Sequence, residues 1–379
     1  MKHHQYNRNF KFVYEPESFD KYTDREFLQY CPGATMYMPG TKDISSKLLS
    51  GRLAGLTSFV LCFEDACPAD QVVAAEKNVH SMLDKLAAYI ESKVLPADKL
   101  PLIFIRVRNI EQFDSFARNL TKRRLRPLCG FVFPKFSAAE GHLYFEKLIS
   151  INKRFSEKLY GMPIIESTEV AYKETRLSEL LGIKKILNDY RELVLQVRVG
   201  ATDFSSVFGV RRGVDYSIYD ITTVRDCLSD IVNIFGRNND FIVSGPVWEY
   251  FRAPEELMFD ELPSHGLEDY LMKRLPIVNQ EIDGLLREVI LDKANGFVGR
   301  TVIHPTHIKY VNALNAVTKE EYEDARMILG NSHGGVVKSA EGNKMNEIKP
   351  HTNWASKIIN RARAFGVIEN EAAYIRLFI

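Results

Sequence analysis

The sequence is short of most features that would assign it at a glance. No apolar run reaches the ~20 residues needed to cross a membrane, so no membrane partner is expected. Neither sign of charge is in excess: 50 Lys and Arg face 49 Asp and Glu, for a net charge of +1. That balance supplies no global positive field, which argues against nucleic acid as a partner. Cysteine is scarce and odd in number, five in 379 residues. Such usage fits a reducing compartment and leaves no disulfide framework. Cys62 and Cys67, which flank Phe-Glu-Asp-Ala, match no common zinc spacing. The opening stretch, MKHHQYNRNFKFVYEPESFD, is polar and aromatic and lacks the apolar core of a signal peptide. A cytoplasmic protein is therefore expected. Internal repeats and low-complexity tracts are missing as well.

What is present is an alternation. From about residue 34, short apolar runs rich in Val, Ile and Phe alternate with longer amphipathic stretches. The short runs are 35–39, 56–65, 102–109, 128–135, 161–167, 193–203, 241–245 and 300–305. Most lack clean in-out alternation, as strands do when both faces are buried. Between them, 71–93, 138–155, 177–190, 222–235 and 278–294 carry helical spacing. Eight strands alternating with helices predict an α/β protein, a (β/α)8 TIM barrel. A doubly wound open sheet is the rival, but the first strand runs into MPGTKD, without the G-x-G-x-x-G turn such folds use for phosphate. Residues 34–314 are assigned to the barrel and 1–33 to an N-terminal extension that plugs or caps its bottom. Residues 315–379 hold helical patterns at 318–329 and 352–366 around a glycine-rich stretch, 330–351, and read as a C-terminal helical lid.

In such barrels chemistry sits where the strands end. Those exits carry Glu64-Asp65, Arg106-Val107-Arg108-Asn109, Pro134-Lys135, Glu166-Ser167, Asp203 and His304-Pro305. Charged groups beside a barrel core are costly unless paired or bound to a metal, so the set is informative as a whole. Glu166 and Asp203 end adjacent strands. Two carboxylates with room left for water and substrate oxygens suit Mg²⁺, or Mn²⁺ as a close substitute. Gly200 clears space beside Asp203. Glu64 and Asp65 could hold metal-bound water, and Arg106 could grip a substrate carboxylate. The bland alternative is a ring of ion pairs in which Arg106, Arg198 and Lys135 neutralise the acids. His304 and His307 share a helical spacing, but no third zinc ligand stands out. A His304 that caps the eighth strand is the simpler reading, and Trp248 is expected to be packed in the interior.

These segments, in this order, resemble the citrate lyase beta-subunit and malyl-CoA lyase group of aldolases, the HpcH/HpaI aldolase family. The resemblance rests on Pro39-Gly40, Phe63-Glu64-Asp65-Ala66, Arg106 to Asn109, Pro134-Lys135, Ile165-Glu166-Ser167, Gly200-Ala201-Thr202-Asp203-Phe204 and Gly299 to Pro305. It spans about residues 34–310. It implies a TIM barrel that cleaves or forms a carbon–carbon bond, a metal held by Glu166 and Asp203, and Arg106 at the substrate. It further implies a substrate pocket drawing on Arg108, Pro39, Gly40, Gly200, Ala201, Thr202 and His304. Asn343-Lys344-Met345-Asn346-Glu347 is similar to a lid segment that reaches a neighbouring subunit, which makes Glu347 a candidate acid/base group and implies a homo-oligomer. The arginine that usually begins the family's first strand is absent here, where Gly33-Ala34-Thr35 stands.

The resulting expectation is a metal-dependent carbon–carbon lyase acting on a small 2-oxo or hydroxy acid, or its CoA thioester. Glu64, Asp65, Arg106, Lys135 and Glu347 are its catalytic candidates, with Lys135 supplying charge rather than a Schiff base. Two other readings stay open: an aldolase on a free 2-oxo acid without CoA, and a catalytically silent barrel that binds a metabolite or a protein.

Overall fold

The computed structural model describes residues 1–379 except 54, 253–265, 332–333, 340–341 and 379. Parts of the glycine-rich stretch 330–351 therefore lie outside the described residues. Eight parallel strands form one sheet: β1 (Ala34–Pro39), β2 (Ser58–Cys62), β3 (Leu102–Arg106), β4 (Leu128–Phe133), β5 (Tyr160–Ile165), β6 (Val197–Val199), β7 (Val243–Ser244) and β8 (Arg300–Val302). Neighbours in sequence are neighbours in the sheet, and β8 returns to pair with β1 through Ala34–Arg300 and Met36–Val302. A bridge between Gly245 and Arg300 joins β7 to β8 and closes the ring. The expected TIM barrel is the observed fold. Strands β2 to β5 are buried on both faces, which is why their sequences run apolar without alternation.

Three strands are shorter than their apolar runs suggested. The run 193–203 contributes only Val197–Val199; it begins in a 3-10 turn at Arg191–Leu193 and ends in a helix, Ala201–Val207. Asp203 thus sits in the first turn of a helix rather than on the strand. The runs 241–245 and 300–305 shrink likewise. Apolar content reports burial, and a buried turn is as apolar as a buried strand.

The barrel's eighth corner is held by charge. Arg300 is fully buried, and its guanidinium donates to Glu288 at 2.6 Å and to the Pro246 carbonyl at 2.8 Å. Glu288 also pairs with Arg212, which in turn holds Glu249. This network pins the segment after β7. Trp248 within it is packed as expected, its indole N–H donating to the Glu281 carbonyl at 2.9 Å.

Both ends of the chain gather at the bottom, where the strands begin. His3 is fully buried: one ring nitrogen faces the Cys31 carbonyl at 2.9 Å, the other the Thr57 hydroxyl just before β2 at 3.3 Å. Its ring stacks on Phe365 at 4.3 Å. The long C-terminal helix Ile348–Phe365 packs on helix Lys319–Gly330 around Val317, Ala325, Ile328, Ile358 and Val367. It meets the barrel through Asn353 with Asn239 and Lys357 with Gly296, both in loops that lead into strands. In its own chain the segment expected as a lid lies at the end opposite the mouth. Among the described residues no helix is long and apolar enough to cross a membrane.

Burial pushes the rings of His3 and His4 down to about 3, so both are neutral in the fold. In the unfolded chain each takes up a proton below about pH 6.5. Their contribution to stability is therefore full above pH 6.5 and is lost as pH falls toward 3. His4→Asn, which tolerates the positive φ of that position, should remove about 1.4 kcal/mol per pH unit from the slope of stability against pH in that window. Urea unfolding of both proteins at pH 4.5, 5.5 and 6.5 checks this; parallel slopes refute it.

Candidate active site

The mouth of the barrel is built around one guanidinium. Arg106, the last residue of β3, points inward and is nine-tenths buried. Its Nη2 lies 2.9 Å from Glu64 Oε2, 2.8 Å from Glu166 Oε1 and 3.5 Å from Asp65 Oδ2. The exits of β2, β3 and β5 are thereby tied together. Lys135, just past β4 with φ +45°, adds its ammonium to Glu64 at 2.7 Å and its backbone N–H to Glu166 Oε1 at 3.0 Å. A non-glycine residue in that conformation costs of order 1–3 kcal/mol and persists where its surroundings demand it.

Four carboxylates share this corner, and their environments separate them. Burial would raise Glu64, but its hydrogen bonding with Asp65 and the charges of Arg106 and Lys135 win and hold it near 2. Asp65 goes the other way, to about 6, through burial and the adjacent Glu64. Glu166 is pushed up to about 7, by burial first and by Asp203 next, against the pull of Arg106. Asp203 is raised by burial and by Asp65. Splitting of this kind among clustered acids is common where protons are moved or cations are held.

The free oxygens decide what this corner can bind. Glu166 Oε1 is taken by Arg106 and Lys135. Its Oε2 lies over Gly200, where an added Cβ would stand only 2.1 Å from it. Asp203, half-buried, makes no hydrogen bond or ion pair with the described residues. Among the described residues no group of three or more His, Cys, Asp or Glu is placed to hold a metal. A pair with two unclaimed carboxylate faces still fits a hard divalent cation whose remaining ligands are water and substrate oxygens. Both groups face a cavity of about 430 Å³. Its lining includes Asp65, Arg106, Glu166, Gly200, Thr202 and Asp203, closed by Ile164, Val199, Val247 and Ile303.

Several residues expected around the substrate stand elsewhere. Arg108 turns away and donates to the carbonyls of Phe63 and Cys67, both at 3.3 Å, because the chain has left the strand and its side chain folds back on the β2 exit. Pro39 and Gly40 are not among the lining residues, and Gly40 stands against the Phe63 ring. Ala201 is buried in the helix start. His304 stacks on Phe251 at 4.4 Å and bonds Thr306, so its ring belongs to the rim and not to the lining. Glu64 and Lys135 touch the site through Arg106 and Glu166 without lining the cavity. Glu347 is exposed on a ribbon in which Met345–Glu347 pairs with Val336–Lys338, outside the cavity of its own chain.

Among the lining residues that escaped the sequence reading as binding groups are Tyr37 of β1, Arg198 of β6 and Thr301 of β8. Strand periodicity is the signal that would have found the first two, since Thr35 and Tyr37, like Gln196, Arg198 and Gly200, share the inward face. Only Val197–Val199 of the run 193–203 is strand, so the run by itself does not show that phase.

An eight-stranded barrel that concentrates acids and a guanidinium in a cavity at its strand exits is the architecture of a barrel enzyme. The family model for a C–C bond lyase of the TIM-barrel fold matches residues 26–367, and the chain belongs to that family. The protein is accordingly a carbon–carbon bond lyase, in agreement with the resemblance drawn from its motifs. Curated proteins provide no match. Among solved structures, the chain is similar to the protein CitE from Mycobacterium tuberculosis in complex with magnesium, acetoacetate and coenzyme A. Identity is 18%, the TM-score is 0.52, and 88% of this chain and 99% of that one are covered. The M. tuberculosis citrate lyase beta subunit complexed with oxaloacetate and magnesium follows at 17% identity and a TM-score of 0.44, covering 75% and 96%. Haloferax volcanii malate synthase, a lead(II) complex, is matched at 13% and 0.48, covering 75% and 72%.

Gly200→Ala is the sharpest probe of this geometry. Its methyl group would collide with Glu166 Oε2, so the carboxylate must swing out of place. Expected is a destabilisation of about 1–3 kcal/mol, with loss of whatever cation binding calorimetry finds in the parent, while far-UV circular dichroism is unchanged. A variant that binds cations as the parent does would refute the placement of Oε2.

Proposed function

We propose that this lyase acts on a small 2-oxo or hydroxy acid, with Mg²⁺ or Mn²⁺ held by Glu166 and Asp203. The observation that carries the reading is Asp203: a half-buried carboxylate with no hydrogen-bond or ion-pair partner among the described residues, facing a second carboxylate whose outer oxygen is left free. Burial raises the proton affinity of both, with Asp203 adding to that of Glu166 and Asp65 to that of Asp203; a divalent cation held by the pair would offset the negative charge gathered there. When bound, the cation would supply Lewis acidity for the negative charge that develops beside the breaking bond.

The chain's own residues do the rest. Arg106 and the Lys135 N–H fix the plane of the Glu166 carboxylate. Asp65, raised to about 6, is suited to accept the substrate's hydroxyl proton on its carboxylate and to return it to the product carbon. Glu64, ionised throughout, keeps Arg106 and Lys135 in position. Ile164, Val199, Val247 and Ile303 keep water from the reacting carbon. In reverse the same groups serve an aldol or Claisen addition.

The magnesium and acetoacetate of the M. tuberculosis CitE complex support a cation and a small oxo acid, and its coenzyme A raises the question of a thioester. A cavity of about 430 Å³ accommodates a small acid, while the nucleotide of a CoA ester would have to lie outside. The free acid is the reading favoured here. A role for Glu347 requires a second copy of the chain to bring it to the mouth.

Calorimetry with Mg²⁺ and Mn²⁺, followed by NMR detection of cleavage of 2-oxo and hydroxy acids with and without CoA, tests this. The parent should bind a cation and cleave a free acid. Glu166→Gln and Asp203→Asn should each weaken cation binding by more than ~10-fold and abolish turnover. A parent that binds neither cation, with both variants indistinguishable from it, would leave a silent barrel. Turnover confined to thioesters would overturn the free-acid assignment.

A further inference from the structure

Two guanidinium groups line the cavity, and they are not equivalent. Arg106 is shared among Glu64, Asp65 and Glu166. Arg198 is more deeply buried, at 1% exposure, and no carboxylate of the described residues is in ion-pair contact with it. Its partners are all neutral oxygens. Nη1 donates to Gln196 Oε1 at 3.2 Å and to Thr35 Oγ1 at 3.4 Å, and Nη2 donates to Thr301 Oγ1 at 2.8 Å. The Nε of each arginine is buried without a partner; the difference lies in the acids.

A buried, permanently charged group without a counter-ion is costly, and the usual resolution is a ligand that brings the opposite charge. The neighbourhood of Arg198 suits one. Tyr37 stands beside it, its ring centre 5.5 Å from the guanidinium carbon, with a buried hydroxyl that has no hydrogen-bond partner among the described residues. The Thr301 hydroxyl, already accepting from Arg198, has its own hydrogen to donate. Tyr37, Arg198 and Thr301 all line the cavity. Position also separates them from the acids. Arg198 starts on β6 and reaches toward β1 and β8, across the ring from β4 and β5, where Glu166 is held. An anion on this floor stands away from the acid corner. On Arg106 a substrate carboxylate would instead share a guanidinium whose charge three acids of the protein already offset.

We propose that Arg198, Tyr37 and Thr301 form a seat for a carboxylate, so that the substrate is a dicarboxylic acid. Its 2-oxo or hydroxy-acid end faces Glu166 and Asp203, and its second carboxylate rests on the floor. The assignment builds on the proposed function, since it takes this cavity as the substrate site, and it names the substrate class. It also moves the role of gripping a substrate carboxylate from Arg106 to Arg198.

Calorimetric titration of malonate into the full chain in Mg²⁺ buffer tests the seat, with acetate for comparison and Mg²⁺ affinity measured separately. Malonate should bind the parent more tightly than acetate does. Arg198→Gln should weaken malonate by about 10- to 100-fold, the loss of charge-assisted hydrogen bonds. Arg198→Lys should restore part of the affinity, and Mg²⁺ binding should not change. Tyr37→Phe, which keeps every charge, should cost malonate roughly 3- to 10-fold and decides the matter if Arg198→Gln does not fold. The seat is overturned if the parent does not distinguish malonate from acetate, or if a folded Arg198→Gln or Tyr37→Phe binds malonate as the parent does. Malonate binding that depends on Arg198 in a protein without Mg²⁺ affinity or lyase turnover would sustain the seat while sinking the proposed function. Mg²⁺ binding and turnover with malonate indifferent to Arg198 would do the reverse.

Discussion

The mouth of this barrel depends on the ion pairs of Arg106. One guanidinium, almost out of contact with water, neutralises acids from two other strand exits. Removing a partner from a buried cluster of this kind costs about 3–5 kcal/mol, because the charges left behind are neither solvated nor paired. Four carboxylates could not otherwise crowd one corner. The arrangement also has a directional consequence. By engaging Glu166 through Oε1 alone, Arg106 turns Oε2 toward Gly200, and by engaging Glu64 and Asp65 it leaves Asp203 unclaimed. The unsatisfied chemistry of the site is what remains after Arg106 has been served.

The interior below that corner is unusually polar for a barrel core. Ser58 donates to the Pro32 carbonyl at 2.6 Å and lies 3.1 Å from the Thr35 hydroxyl. Gln196, Thr35 and Thr301 surround Arg198. Most of these groups find neutral partners, while the Tyr37 hydroxyl and the Arg198 Nε have none among the described residues. The layer gives the cavity a floor of hydroxyl and guanidinium donors under a wall of carboxylates. Apolar side chains close the remaining sides.

Much of this could be read along the chain, for a physical reason. A strand buried on both faces must be apolar, so the charged residues that end each run mark where it leaves the core. Glu64, Asp65, Arg106, Lys135, Glu166 and Asp203 were found in that way, and the structure gathers them. Where the reading failed, the failure was one of local direction. Arg108 is two residues past Arg106 and on the same face by parity, but the strand has ended and parity no longer applies. His304 follows β8 by two residues and is claimed by Phe251 and Thr306. The C-terminal helices show amphipathic spacing, which says that they pack but not at which end of the barrel.

Order and composition alone determined the fold class, the family resemblance and the presence of acids at the strand exits. These follow from periodicity and burial, which are properties of neighbouring residues. Which carboxylate oxygen is free, and which of two buried arginines lacks a counter-charge, was decided only by the closed ring. Glu64 and Lys135 are 71 residues apart, and Arg198 and Thr301 are 103 apart. Charge pairing falls off over a few ångströms, and only closure of the barrel brings groups so distant in the chain within that reach.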